Sequence, residues 1–159
     1  MDRRRDTAPF ALPPGASILL DASPLIYLVE GSPSRRRAVE SFIADAAGAG
    51  HRLVASTLVW TELLHKPLAS GDAALAGRYR SLLADSDRLA LAPVDVAVAE
   101  EAARLRALGR LQLADAIHLA TAVVLRVDAI LGNDERWKLV PGCPPLILVD
   151  ELAFDFPEP

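Results

Sequence analysis

From Ser17 onward, short apolar runs alternate with longer stretches in which apolar residues recur every three or four positions. Five runs have the length and composition of buried strands: Ile18 to Leu20, Leu53 to Ala55, Leu89 to Ala92, Val127 to Leu131 and Leu146 to Val149. Between them the spacing predicts helices over Ser34 to Ala47, Thr57 to His65, Asp72 to Leu83, Asp95 to Leu108 and roughly Ala114 to Arg126, several closed by Gly or Pro. Such alternation implies an α/β fold in which a mostly parallel sheet of about five strands is covered by helices on both faces. Residues 1–16 have no comparable period. There Asp2-Arg3-Arg4-Arg5-Asp6 is followed by Pro9, Pro13 and Pro14, which predicts a disordered arm ahead of one domain over residues 17–159.

Composition narrows the picture. A chain of 159 residues, 52% of them apolar, can bury a sizeable core and has the length of one domain. No apolar run approaches the roughly 18 residues of a membrane span, so no membrane partner is expected. Met1 to Arg5 is basic like the start of a signal peptide, but Pro9, Pro13, Pro14 and Gly15 break up the apolar stretch that should follow. Cys143 is the only cysteine, which excludes an internal disulfide and suits a reducing, cytoplasmic location. A formal net charge of -4 argues against coating nucleic acid by bulk electrostatics, without excluding nucleic acid as a substrate.

Four carboxylates stand where chemistry is expected, each with a plainer explanation beside it. Asp21 follows the first predicted strand, where it either caps the next helix or faces a ligand; Ser23-Pro24 already offers a cap with Pro at the first helical position. Glu62 lies four residues after Leu58 and three after Val59, on their apolar stripe, so it snorkels outward, pairs with a base, or serves a site. Asp115 opens eleven residues with no other formal charge when His118 is neutral; it is an N-cap or a carboxylate aimed along a packed surface. Asp134 ends Leu131-Gly132-Asn133-Asp134, a strand running into a polar turn that turn chemistry also explains. His118 reads as a satisfied core histidine outside the site. Asp95 looks like a cap, and Glu40, Glu100 and Glu101 belong to charged helix faces.

The combination carries more than any one acid. Four carboxylates in one partly dry crevice would raise one another's pKa or destabilise the fold unless a cation joined them. Oxygen ligands alone select a hard ion, and Mg²⁺ or Mn²⁺ is the natural guest. Metal there would serve phosphodiester hydrolysis by activating water, neutralising the phosphoryl oxygens and stabilising the leaving oxygen.

Taken in order, Leu20-Asp21-Ala22-Ser23-Pro24-Leu25-Ile26, Leu58-Val59-Trp60-Thr61-Glu62-Leu63, Leu113-Ala114-Asp115-Ala116-Ile117-His118-Leu119-Ala120-Thr121-Ala122 and Leu131-Gly132-Asn133-Asp134 resemble the PIN-domain family from about Ile18 to Val149. The resemblance is strongest to the VapC toxins of type II toxin-antitoxin systems. It implies a three-layer α/β/α PIN-like fold and a divalent-metal-dependent endoribonuclease. In that reading Asp21, Glu62, Asp115 and Asp134 are the catalytic and metal-binding acids, Ser23 and Asn133 are neighbouring polar groups, and the cofactor is Mg²⁺ or Mn²⁺. It also implies an RNA substrate, a small cognate antitoxin that covers the crevice, and a homodimer. Gly132 departs from the Thr or Ser that often precedes Asn-Asp in the family, and the arm is longer than a typical VapC start.

Three other readings remain open. A housekeeping PIN nuclease would use the same acids. A non-catalytic RNA-binding module would keep the fold without turnover. A phosphatase with Asp21 as nucleophile fits an Asp after a first strand, but Asp-Ala-Ser lacks a second nearby acid, and Lys66 and Lys138 are the only lysines. Nucleotide-binding folds are excluded by the lack of a Gly-rich phosphate loop.

Overall fold

The structure is a computed structural model that describes residues 12–85 and 87–156. Five strands, β1 (Ser17–Leu20), β2 (Arg52–Ser56), β3 (Ala90–Ala92), β4 (Ala129–Gly132) and β5 (Leu146–Leu148), form one sheet in the order β3-β2-β1-β4-β5. Every neighbouring pair is parallel, so the sheet is wholly rather than mostly parallel. Helices α1 (Ala22–Glu30) and α2 (Pro33–Gly48) link β1 to β2, and α3 (Val59–Ser70) and α4 (Ala73–Ala84) link β2 to β3. Helices α5 (Val96–Leu108) and α6 (Leu113–Val124) lead to β4; a 3-10 turn, Glu135–Leu139, leads to β5, and α7 (Val149–Ala153) follows. None of the described helices is long and apolar enough to cross a membrane.

The strands read as unbroken apolar runs because both faces of the sheet are covered. Ile18, Leu20, Leu53, Ala55, Leu131 and Ile147 pack with Leu25, Val39, Val59, Leu63 and Tyr79 on one side. Leu19, Val54, Ile130, Leu146 and Leu148 pack with Val98, Leu105, Ala116, Leu119 and Trp137 on the other. The alternation along each strand thus sorts side chains into two cores, with α1 to α4 and α7 over the first and α5 and α6 over the second. This is the three-layer α/β/α arrangement that the sequence predicts.

Several boundaries move. Helix α1 begins at Ala22, which puts Ser23 and Pro24 inside its first turn and leaves Asp21 at the capping position, where its side chain makes no cap bond. The predicted cap at Ser23-Pro24 is therefore corrected. Thr57 precedes α3, held by its N–H to the Ala92 carbonyl at 2.8 Å, and the helix runs through Pro67 to end at Gly71 in the left-handed region. Val149 opens α7 instead of closing β5. The predicted arm falls mostly on residues 1–11, outside the described residues. Its described part is joined to the domain: Leu12 packs on the first core, and the buried Ala16 accepts the Arg52 N–H at 2.8 Å.

The strand order has a functional consequence. From β1 the chain moves outward to β2 and β3, then returns to the other side for β4 and β5. A sheet reversing direction in this way opens a crevice beyond the carboxyl ends of the two strands at the switch, β1 and β4. Asp21 follows the first of these and Asn133-Asp134 the second.

Candidate active site

Asp21 is held at the mouth of that crevice by its own backbone, whose N–H extends the β1–β4 ladder to the Leu131 carbonyl at 2.9 Å. Opposite it, Gly132 leaves room: a Cβ there would lie 3.4 Å from the Asp21 Cβ and 3.7 Å from Oδ2. The Ser23 hydroxyl donates to Asp21 Oδ2 at 3.1 Å. Burial pushes the Asp21 carboxyl above its usual range and the Glu62 charge adds to this, against the pull of His118, the Ala22 N–H and Ser23.

Glu62 reaches the crevice from the first turn of α3. The helix entry is set by Ser56, whose buried hydroxyl accepts the Leu58 N–H at 3.2 Å. Glu62 Oε2 meets His118 Nε2 at 2.7 Å, and the same nitrogen is 3.7 Å from Asp21 Oδ1. A carboxylate only accepts, so Nε2 carries the hydrogen and donates to Glu62. His118 is 1% exposed, its Nδ1 has no hydrogen-bond partner among the described residues, and its ring stacks near Trp137 with centroids 6.3 Å apart. Burial disfavours charge on the ring, but the bond to Glu62 and the charges of Asp21, Glu62 and Asp115 outweigh it and raise its pKa.

Asp115 stands in the first turn of α6, three residues before His118 and on the same helix face; Gln112, not Asp115, occupies the cap position. Burial and the nearby charges of Asp134 and Asp21 raise the Asp115 carboxyl, with Arg136 opposing them. Asp134 caps the 3-10 turn, accepting the Arg136 N–H at 3.0 Å, and both of its oxygens also accept from the Arg136 side chain, Nε lying 2.9 and 3.0 Å from them. Those bonds hold the Asp134 carboxyl below its usual range. Arg136 Nη2 bonds Asp134 and lies 3.7 Å from Asp115 Oδ2.

All four predicted acids thus border one crevice, linked in the order Glu62, Asp21, Asp115, Asp134 by mutual charge effects and by two intervening basic side chains, His118 and Arg136. Of the two lesser residues, Ser23 touches Asp21, whereas Asn133 turns away. Its amide donates to the Tyr27 hydroxyl at 3.2 Å and its carbonyl accepts the Asp150 N–H at 3.1 Å, tying β4 to α1 and α7. Among the described residues, no three His, Cys, Asp or Glu side chains converge closely enough to hold one ion. The donor set still fits a hard cation. Only carboxylate oxygens are offered, two of the acids are raised by burial and like charge, and Asp134 already grips a cation, Arg136, with both oxygens.

A family model described as "PIN domain" matches residues 18–142. The chain belongs to the PIN-domain family. No curated protein matches it in sequence. Among solved structures, this PIN domain is similar to the VapBC2 complex of Rickettsia felis bound to a promoter DNA fragment, with a TM-score of 0.66 and 14% identity over 83% of this chain and 98% of that one. It is similar to VapC20 of Mycobacterium tuberculosis, a toxin that cleaves the sarcin-ricin loop, with a TM-score of 0.64 and 14% identity over 78% and 95%. A toxin-antitoxin complex from Klebsiella pneumoniae gives a TM-score of 0.62 and 22% identity over 83% and 97%. At these identities the likeness is one of fold.

Sequence reasoning overlooks two members of the PIN crevice. His118 is buried as expected for a core histidine, but it faces Asp21 and Glu62, so its exclusion from the site is corrected. The signal was available: Glu62 on an apolar stripe needed a base, and His118 shares a helix face with Asp115. Arg136 had no signal beyond its closeness to Asp134.

Proposed function

We propose that this PIN domain is a divalent-metal-dependent endoribonuclease and the toxin of a type II toxin-antitoxin pair. The carrying observation is the set of four carboxylates around one crevice at the switch point, with Asp21 and Asp115 both raised. Asp21, Asp115 and Asp134, with Glu62, would hold Mg²⁺ or Mn²⁺. Bound there, the ion supplies activated water and neutralises charge on the phosphoryl oxygens.

The chain's own groups define the rest. Glu62 would either hold the ion or orient the attacking water, because the bond to His118 fixes the carboxylate and leaves one oxygen outside that bond. Ser23 orients Asp21 by donating to it. Asn133 keeps β4, α1 and α7 in register beneath the crevice. The similarity to VapBC complexes supports a small antitoxin partner.

The test compares RNA cleavage by wild type, Asp21→Asn and Glu62→Gln with Mg²⁺ or Mn²⁺. Loss of a single catalytic group of this kind should reduce the rate by roughly 100-fold or more. Equal rates in all three overturn the assignment. Binding of RNA without cleavage with either ion makes the protein a binding module. Growth arrest on expression of wild type, absent for Asp21→Asn, separates a toxin from a housekeeping nuclease.

A further inference from the structure

Arg136 is placed unlike the other paired bases. Among the described residues, Arg104 and Lys138 each pair with one acid, Glu101 and Glu151. Arg136 instead engages both oxygens of Asp134 and reaches to 3.7 Å from Asp115. Its side chain is 67% exposed, while the next residue, Trp137, is 3% exposed and anchors the turn in the second core. The main chain at Arg136 is therefore held by its neighbour, while its guanidinium lies open to water. Moving the guanidinium away does not undo the turn, because the Arg136 N–H donates to the capping Asp134 carboxylate independently of the side chain.

We propose that Arg136 is an internal counter-cation that must release Asp134 and Asp115 before a divalent ion can bind them, and so sets the metal affinity of the crevice. The inference rests on the metal-nuclease reading above. A guanidinium stays charged at any working pH and matches a carboxylate in a two-pronged fork, so it competes with a metal for the same lone pairs. Neither Asp134 oxygen can serve an ion in full while Nε and Nη2 hold it. The competition is modest because the pair is open to water, where ion pairs are weak. Arg136 thus shields the acids in the metal-free protein and yields to a doubly charged ion.

The experiment is a calorimetric titration of the metal-stripped full chain with Mn²⁺, without RNA. Arg136→Gln is expected to tighten binding by about fivefold, equivalent to about 1 kcal/mol at 1.4 kcal/mol per decade. Lys138→Gln removes the same charge two residues away, from a pair with Glu151, and should change the affinity by less than about twofold. In nitrogen-15 spectra of wild type, the Arg136 Nε–H signal, assigned by its loss in Arg136→Gln, should move as Mg²⁺ saturates the protein. Unchanged or weaker Mn²⁺ binding by Arg136→Gln overturns the inference. So does an equal effect of Lys138→Gln, or an Arg136 signal that stays still at saturation. If neither wild type nor Arg136→Gln takes up Mn²⁺, the metal-nuclease reading falls with it; if wild type binds Mn²⁺ and Arg136→Gln binds no better, only the inference falls.

Discussion

Breaking the Glu62–His118 bond should cost about 2 kcal/mol in mildly acidic solution and less in alkaline solution. The perturbations are Glu62→Gln, which keeps the shape and drops the charge, and His118→Asn, which removes the ring. The two side chains are 28% and 1% exposed and meet at 2.7 Å. At that distance and an effective dielectric constant of about 20, Coulomb attraction is roughly 6 kcal/mol. Desolvating both groups cancels most of it, leaving the roughly 1.5–3 kcal/mol typical of a hydrogen bond to a charged group. The pH dependence has a definite sign, because the folded ring keeps its proton to higher pH than the unfolded ring, which titrates near 6.5. The pairing therefore contributes fully below pH 6.5 and is lost as pH rises through the folded value. Urea unfolding of wild type, both single variants and the double variant, with EDTA present, yields the coupling at about pH 6 and about pH 9. Each single variant should also lower the melting temperature by roughly 4–8 °C at the lower pH. A coupling below about 0.5 kcal/mol at both pH values, within the scatter of independent sites, would refute the reasoning. So would a coupling that is no smaller in alkali.

Two further substitutions probe the walls of the crevice. Gly132→Ala places a Cβ at ordinary contact distance, 3.4 Å from the Asp21 Cβ and 3.5 Å from Leu146 Cδ1, and should stabilise the fold by about 0.4–1 kcal/mol by restricting the unfolded chain. A higher urea midpoint at constant slope is the expected readout, and a loss of more than about 1 kcal/mol would show that Asp21 has no slack. Trp137→Ala empties the anchor under His118 and Arg136 and should cost about 3–5 kcal/mol. A cost under about 1 kcal/mol in the same assay would show that the 3-10 turn is held by other means.

The architecture was legible because its signals are local. Buried parallel strands need runs such as Ile18-Leu19-Leu20, covering helices need apolar residues at 3.6-residue spacing, and each can be recognised within a dozen residues. The acids were legible for a related reason. A charge on the apolar stripe at Glu62, or at the head of the uncharged run that Asp115 opens, contradicts its surroundings, and such contradictions mark candidate sites. Boundaries were harder to place, because Ser23-Pro24 satisfies the rules for a helix start while the ladder bond from Asp21 to Leu131 decides where β1 actually ends.

What the chain alone determined, then, is the layering, the strands and helices, and which carboxylates sit against their local pattern. Only the tertiary structure decided which groups answer those charges. Glu62 and His118 are 56 residues apart and become partners at 2.7 Å because α3 and α6 both begin beside the switch between β1 and β4. Arg136 becomes a crevice residue because Trp137, buried beside it in the second core, points the turn inward. Local periodicity reports which face of an element is buried; which opposite charge waits across the gap depends on how distant elements are stacked, and that is a property of the whole fold.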